Sequence, residues 1–243
     1  MDYPSREVVA RIIEILLKNS KAGKAISISD LSERALVSEK IARKILFSWG
    51  ISGDIIELSE REKIDIIIKA LEYGVEGERV SRYLEWTEFE KLVAKVLERA
   101  GYRTRWNVRI PRHRHRYQID LLAYRGNLVL LIDCKHWKRP PPPSAEFKMV
   151  EAQERRLMAL RSKLEEEVAG VEKTREIYLV PMVLSLYQPS RKILNGHLFA
   201  SIGNLRSLLE YVESAYFQIR HEKVKLPEEG DFIVFLTRIQ GAG

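Results

Sequence analysis

The chain has 243 residues, 45% of them hydrophobic, which suffices for one large domain or two small ones with packed cores. Its single cysteine, Cys134, excludes an internal disulfide and a cysteine cluster for zinc; with no charged-then-apolar leader at Met1 and no run of roughly 18 apolar residues, a cytoplasmic protein without a membrane span is expected. The net charge of +7 lies entirely beyond residue 84, because the first 84 residues carry 14 basic and 14 acidic side chains, and the basic excess points to a polyanionic partner.

In chain order, Val8, Val9, Ile12, Ile13, Leu16 and Leu17 recur at helical spacing and predict a helix over 6–19. Residues 27–36 form a short second helix. Ser38 is an N-cap for a third, with Ile41, Ala42, Ile45 and Leu46 on one face. Residues 54–58 read as a strand, and Ser59 with Glu62 as a capping box that opens a fourth helix reaching about Tyr73. A helix, a short helix, a tight turn and a helix, followed by a strand, resemble a winged-helix domain, assigned to 1–80. Lys40, Arg43 and Lys44 on its third helix are candidates for nucleic-acid contact. The neutral charge of this part equally suits docking of another protein. Residues 74–82, with Gly74 and Gly77 among charges, read as a linker.

The second part, 85–243, opens with a helix over 87–100. Phe89, Leu92, Val93, Val96 and Leu97 form its core face, and Gly101 ends it. Thr87 and Glu90 stand at capping-box spacing. A strand over 102–110 follows. From Arg103 to Arg116 there are six arginines, two histidines and no acid. This marks Arg109, Arg112, Arg114 and Arg116 as candidates for nucleic-acid contact. His113 and His115 alternate with arginines, which suits phosphate contact better than metal ligation. Residues 140–143, all proline, form a stiff break. A charged helix spans 145–167, and a strand covers 177–184, where Pro181 predicts an edge position or a bulge. A helix over 205–216 and a last strand over 232–239 complete the order.

The most informative stretch is Gln118-Ile119-Asp120, followed by Asp133-Cys134-Lys135. Apolar runs over 121–124 and 128–132 flank Arg125-Gly126-Asn127, and Gly-Asn between strands signals a two-residue hairpin loop. In that register Arg125 faces Leu128 and Asp120 faces Asp133, with Cβ atoms roughly 5 Å apart; a three-residue loop would shift it. Like charges so placed destabilise a bare sheet, so a cation is expected between them. Lys135 shares the face of Asp133, and Cys134 points away. The alternative is a strand-start aspartate and a solvated Asp–Lys edge pair. It fits poorly, because Leu-Val-Leu-Leu-Ile before Asp133 reads as a buried central strand, where unpaired polar groups are costly. Two carboxylates and a lysine at a strand end are what a metal-dependent phosphodiesterase needs.

This order of elements and motifs resembles the PD-(D/E)xK nuclease superfamily, in the flavour of archaeal Holliday-junction resolvases and Mrr-type endonucleases. Thr87-Glu88-Phe89-Glu90 and Gly101-Tyr102 match the acidic first helix and the Gly–aromatic pair of that family. Ile119 stands where the signature has proline, and Asp133 where glutamate is commoner. The resemblance covers roughly 85–220. It implies an α/β fold, a restriction-endonuclease-like mixed sheet flanked by helices, beside the small, mainly α winged-helix domain.

It further implies Mg²⁺ or Mn²⁺ held by Asp120, Asp133 and the Cys134 backbone carbonyl, with Glu90 completing the site directly or through water. Lys135 would orient the attacking water or stabilise charge on the phosphate. His136 and Trp137, which follow the lysine, would approach the sugar-phosphate, stack on a base or simply pack, and Lys138 and Arg139 are further candidates for nucleic-acid contact. Gln153 matches a glutamine of some relatives, although a solvated position is the preferred reading; Arg155 and Arg156 reach phosphates or are solvated. The implied activity is a DNA endonuclease of repair, recombination or restriction, a homodimer if two strands are cut. The alternative is a non-catalytic nucleic-acid-binding or partner-docking protein that keeps the fold.

Overall fold

The computed structural model describes the backbone of residues 4–112, 115–137 and 140–241, and the side chains of these except 112, 115, 116 and 238–241. The chain divides into two compact units, Met1–Leu92 and Val93–Gly243.

The first unit runs α1 (Arg6–Lys21), β1 (Ile26–Ser27), α2 (Ile28–Ala35), α3 (Glu39–Ser48), β2 (Ile55–Ile56), α4 (Glu60–Glu72), α5 (Gly77–Ser81) and the start of α6 (Trp86–Arg99). Serine hydroxyls set its helix starts. Ser5, Ser27, Ser38 and Ser59 each accept a first-turn N–H, and Ser59 and Glu62 close the reciprocal box. Leu36 ends α2 in the left-handed region at φ 55° and makes the tight turn into α3. β1 and β2 pair antiparallel. Ile12, Ile13, Leu16, Leu31, Ala42 and Ile67 form the core. The stretch expected to be a linker is instead α5, with Val80 and Ser81 buried and Arg79 forked onto Glu7 and Glu14. Gly74, at φ +86°, breaks the chain after α4 without ending its helical content.

In the second unit, β3 (Arg103–Arg112), β4 (His115–Arg125) and β5 (Leu128–Lys135) precede α7 (Pro143–Val168). β6 (Thr174–Ser185), β7 (Ile193–Leu194), β8 (His197–Ser201), α8 (Leu205–Ala215), β9 (Glu222–Pro227) and α9 (Phe232–Gly241) follow. The strands form one mixed sheet in the order β3-β4-β5-β6-β8-β7, with β9 also paired to β6. β3, β4 and β5 are antiparallel, while β5, β6 and β8 run parallel. β5 is buried on both faces, as its apolar run predicts. Val129 and Leu131 pack with Leu157, Leu160 and Leu164 of α7 and with Phe232 and Leu236 of α9.

Pro181 sits inside the sheet rather than at an edge. Even residues of β6 bond toward β5: Tyr178 N–H donates to the Asn127 carbonyl, and Leu186 N–H just past the strand donates to Lys135. Odd residues therefore face the other side. There β9 covers Thr174–Leu179 and β8 begins at Met182, so Pro181 lies in the gap where no N–H is required.

The last strand expected from Phe232 is a helix. Asp231 caps it, its Oδ1 accepting from the N–H groups of Ile233 (2.8 Å) and Val234 (3.3 Å), and Phe232 and Leu236 are buried one turn apart. Asp231 also pairs with Arg103 on β3. Asp231→Ala should therefore cost about 1 kcal/mol and lower the melting temperature by roughly 2–4 °C. Asp231→Asn, which keeps a capping oxygen, should lose less; thermal denaturation of the two variants checks the assignment.

Candidate active site

The hairpin register is the one the loop chemistry requires. Gly126 takes φ +62° in the turn, Arg125 pairs with Leu128, and pairing continues to Leu121 and Ile132. Asp120 and Asp133 are the next residues on their strands. Here the ladder stops, and the Cys134 N–H donates to Asp120 Oδ2 at 3.0 Å, so a side-chain oxygen takes the place of a backbone carbonyl.

A second irregularity meets Asp120 from β3. Val108 pairs with Ile119 and Trp106 with Leu121, but Asn107, opposite Asp120, is held at φ 49° and accepts from the Gln118 amide at 3.1 Å. The core face of β4 changes parity at this point: Tyr117 and Ile119 pack on the α7 side, and so do Leu122 and Tyr124. A shift of this kind re-aims a side chain at a strand kink. It places Asp120 on the side of Asp133.

Asp133 is 2% exposed. Its Oδ1 lies 3.0 Å from Lys135 Nζ and 3.4 Å from Arg156 Nη2, the latter an ion pair longer than a good hydrogen bond. The cation expected beside the carboxylates is thus a pair of cations. Burial, together with the charge of Asp133, pushes the Asp120 carboxyl up to about 7 despite the Cys134 N–H, which favours the anion.

α7 locks this arrangement. Gln153, fully buried, donates its amide to the carbonyls of Leu131 on β5 (3.0 Å) and Met182 on β6 (2.6 Å), so the solvated position expected for it is corrected. Arg156, one helical turn on, donates from Nε to the Gln118 carbonyl at 2.8 Å. It thereby joins β4, β5 and α7. The i, i+3 spacing of Gln153 and Arg156 was the available signal, but their burial follows from packing on the sheet.

Asp120, Asp133 and Lys135 therefore come together, with the Cys134 backbone between them and its side chain buried. Glu90 lies on the part of α6 within the first unit, where it accepts from Trp86 Nε1 at 2.6 Å. It is not the cap of α6. Glu88 fills that role, accepting from the Glu85 N–H at 2.7 Å and from Lys63 at 2.8 Å, and Thr87 lies within the first turn. Arg109 is exposed on β3, and His136 and Trp137 are half-buried beyond β5. Lys40 and Lys44 are exposed on α3, whereas Arg43 is engaged by Asp54 (2.6 Å) and Glu39. The side chains of Arg112, His115 and Arg116, and all of His113, Arg114, Lys138 and Arg139, lie outside the described residues.

Residues 81–159 match the Mrr_cat family model, described as a restriction endonuclease. That match supports a restriction-endonuclease-like domain of the PD-(D/E)xK nuclease superfamily in this part of the chain. The mixed sheet flanked by helices is the fold expected of it. No curated protein matches the chain. One solved structure, "Crystal Structure of Protein of Unknown Function AF1548", is similar at 20% identity and a TM-score of 0.27, over 40% of this chain and 44% of that one. The chain thus spans under half the length of that structure.

Restriction-endonuclease-like domains generally use divalent metals. The donors fit such an ion in kind: two carboxylates and a backbone carbonyl are hard oxygens. Among the described residues no group of three or more His, Cys, Asp and Glu side chains is placed to hold a metal ion. No helix among them is long and apolar enough to cross a membrane.

The raised Asp120 pKa has a definite sign for stability. Between the ordinary aspartate value of 3.8 and about 7 the folded, metal-free protein binds more protons than the unfolded chain. Stability from this group is complete below that window and is lost as pH rises through it. Asp120→Asn keeps an oxygen for the Cys134 N–H and removes the charge. It should raise the metal-free melting temperature by roughly 3 °C at about pH 8, and by less at about pH 5. Melting curves at the two pH values check this.

Proposed function

We propose that the chain is a Mg²⁺-dependent endodeoxyribonuclease. The observation that supports it best is the convergence of Asp120, Asp133 and Lys135 at one strand end, where Asp120 Oδ2 lies 3.0 Å from the Cys134 N and Lys135 Nζ lies 3.0 Å from Asp133. Asp120 and Asp133, with the Cys134 carbonyl and waters, would hold the ion. When bound, Mg²⁺ supplies Lewis-acid stabilisation of the phosphate and a lowered pKa for its water. Lys135, already 3.0 Å from Asp133, would orient the attacking water or meet charge developing on the phosphate. Arg156 would keep Asp133 aimed. Glu90 is proposed to complete the metal site directly or through a water.

The partner would be DNA, held by Arg109, His136 and the arginines and lysines around the hairpin, and a homodimer would place two such sites on two strands. Repair, recombination or restriction are the settings in which this activity would act. For the first unit, read as a winged helix, Lys40, Arg43 and Lys44 would contact nucleic acid. A second reading is favoured there by Leu36, Phe47 and Ile55, which are 79%, 78% and 71% exposed: this unit would dock another protein.

Asp120→Ala and Asp133→Ala should each lower Mg²⁺-dependent cleavage by at least a hundredfold, on the order expected for loss of electrostatic stabilisation. DNA binding should be kept or tightened, because a repelling charge is lost. Lys135→Ala should lose most activity as well. Single-turnover cleavage of duplex, branched and single-stranded DNA is the measurement, and near-wild-type rates in either aspartate variant would refute the reading.

Glu90→Gln separates the metal-site role from a structural one. Since Glu88 caps α6, Glu90→Gln should leave the melting temperature within about 1 °C. Its cleavage rate should fall sharply if it completes the site; an unchanged rate reduces the site to Asp120, Asp133 and Lys135.

A further inference from the structure

Beyond the carboxylates, a clamp between the buried Glu146 and the exposed Ser190 holds an aromatic–arginine pair near the carboxyl ends of β5 and β6. Glu146, in the first turn of α7, is 0% exposed. Its carboxylate accepts the Ser190 backbone N–H at 2.8 Å, and the Ser190 hydroxyl lies 2.8 Å from both carboxylate oxygens. Among the described residues the donors to this buried carboxylate are the neutral N–H and hydroxyl of Ser190, and burying a charge on such partners is a costly way to fix a loop.

The residues next to the two ends of the clamp stack on each other. The guanidinium carbon of Arg191 lies 5.2 Å from the ring centroid of Phe147. Phe147 is 45% exposed, and Arg191 and Lys192 are exposed. The loop that carries Arg191 begins at the strand end of the candidate site. Leu186 N–H donates to the Lys135 carbonyl at 3.0 Å, and Ser185, the β6 partner of Lys135, donates to the Tyr187 carbonyl at 2.6 Å. The far end is held by Phe199 N–H on the Lys192 carbonyl at 2.9 Å. The loop of Arg191 is thus tied at its start to Lys135, and Phe147 on α7 is tied to that loop through the contact of Glu146 with Ser190.

We propose that Phe147 and Arg191 form a stacking site for an unpaired nucleotide beside the phosphate attacked at Asp120, Asp133 and Lys135. The inference rests on the nuclease reading above and names its substrate class: nucleic acid with a single-stranded or branched segment. An exposed ring and a guanidinium plane offer a base the π-contact it makes in single-strand sites. Lys192 adds a cation for the neighbouring phosphate. A base inside a duplex has its faces covered by its neighbours and cannot use such a site. A surface cation–π pair serving only stability contributes little, and it does not need a buried carboxylate to position it.

The test uses the full chain in EDTA, with fluorescence anisotropy on a single strand, a flapped duplex and a blunt duplex. 2-Aminopurine in the unpaired segment reports stacking. Phe147→Ala should weaken binding of the single strand and the flap about tenfold, and blunt duplex less than twofold, in keeping with loss of one base stack. It should also relieve the 2-aminopurine quenching, and Phe147→Trp should restore both. Arg191→Ala should weaken the same two substrates and lower the salt slope by about one. Because the ring is exposed, the melting temperature should not move.

Unchanged binding and quenching in Phe147→Ala overturn the stacking site while leaving the nuclease reading intact if the wild type cleaves with Mg²⁺. An equal loss on all three substrates overturns the assignment to an unpaired nucleotide. A wild-type protein that binds no nucleic acid overturns both.

Discussion

Two carboxylates share one end of a hairpin, and one of them is almost wholly buried. Left alone, Asp120 and Asp133 would repel each other across adjacent strands. Each neighbouring element relieves that repulsion in its own way. β3 gives up one ladder position at Asn107, opposite Asp120, and the Cys134 N–H of β5 donates to the Asp120 carboxylate. β5 supplies Lys135, and α7 supplies Arg156. α7 in turn is pinned by Gln153 across β5 and β6. A site held this way is polar inside an apolar sheet, and its geometry is set before any substrate arrives.

The hairpin could be read in the sequence because its determinants are local. Gly126 and Asn127 fix the turn, and period-two alternation then fixes which residues face each other. Asp133 and Lys135 share a face for the same reason. Arg156 and Gln153 could not be read this way. Their spacing is visible, but whether a polar residue on a charged helix is buried depends on what that helix packs against.

Phe232–Gly241 misled because a short apolar run suits a strand or a buried helix equally; Asp231 was the deciding cap. At α6 both Glu85–Glu88 and Thr87–Glu90 have the capping spacing, and the helix starts at the first of them. Pro181 argued for an edge because a proline costs one ladder bond. The sequence does not show that two strands divide one side of β6 and leave a gap between them.

That division bears on how the chain assembles as it is made. On the side away from β5, Ile177 pairs with Val224 and Leu179 with Glu222 of β9, which is made after the other strands of this sheet. Until it emerges, the amino half of β6 is an open edge carrying apolar side chains, a template for pairing with another nascent chain. The carboxyl half acquires β8 much sooner. The sheet that carries the candidate site is therefore completed at its active end first, and the opposite end stays adhesive until the C-terminal strand closes it.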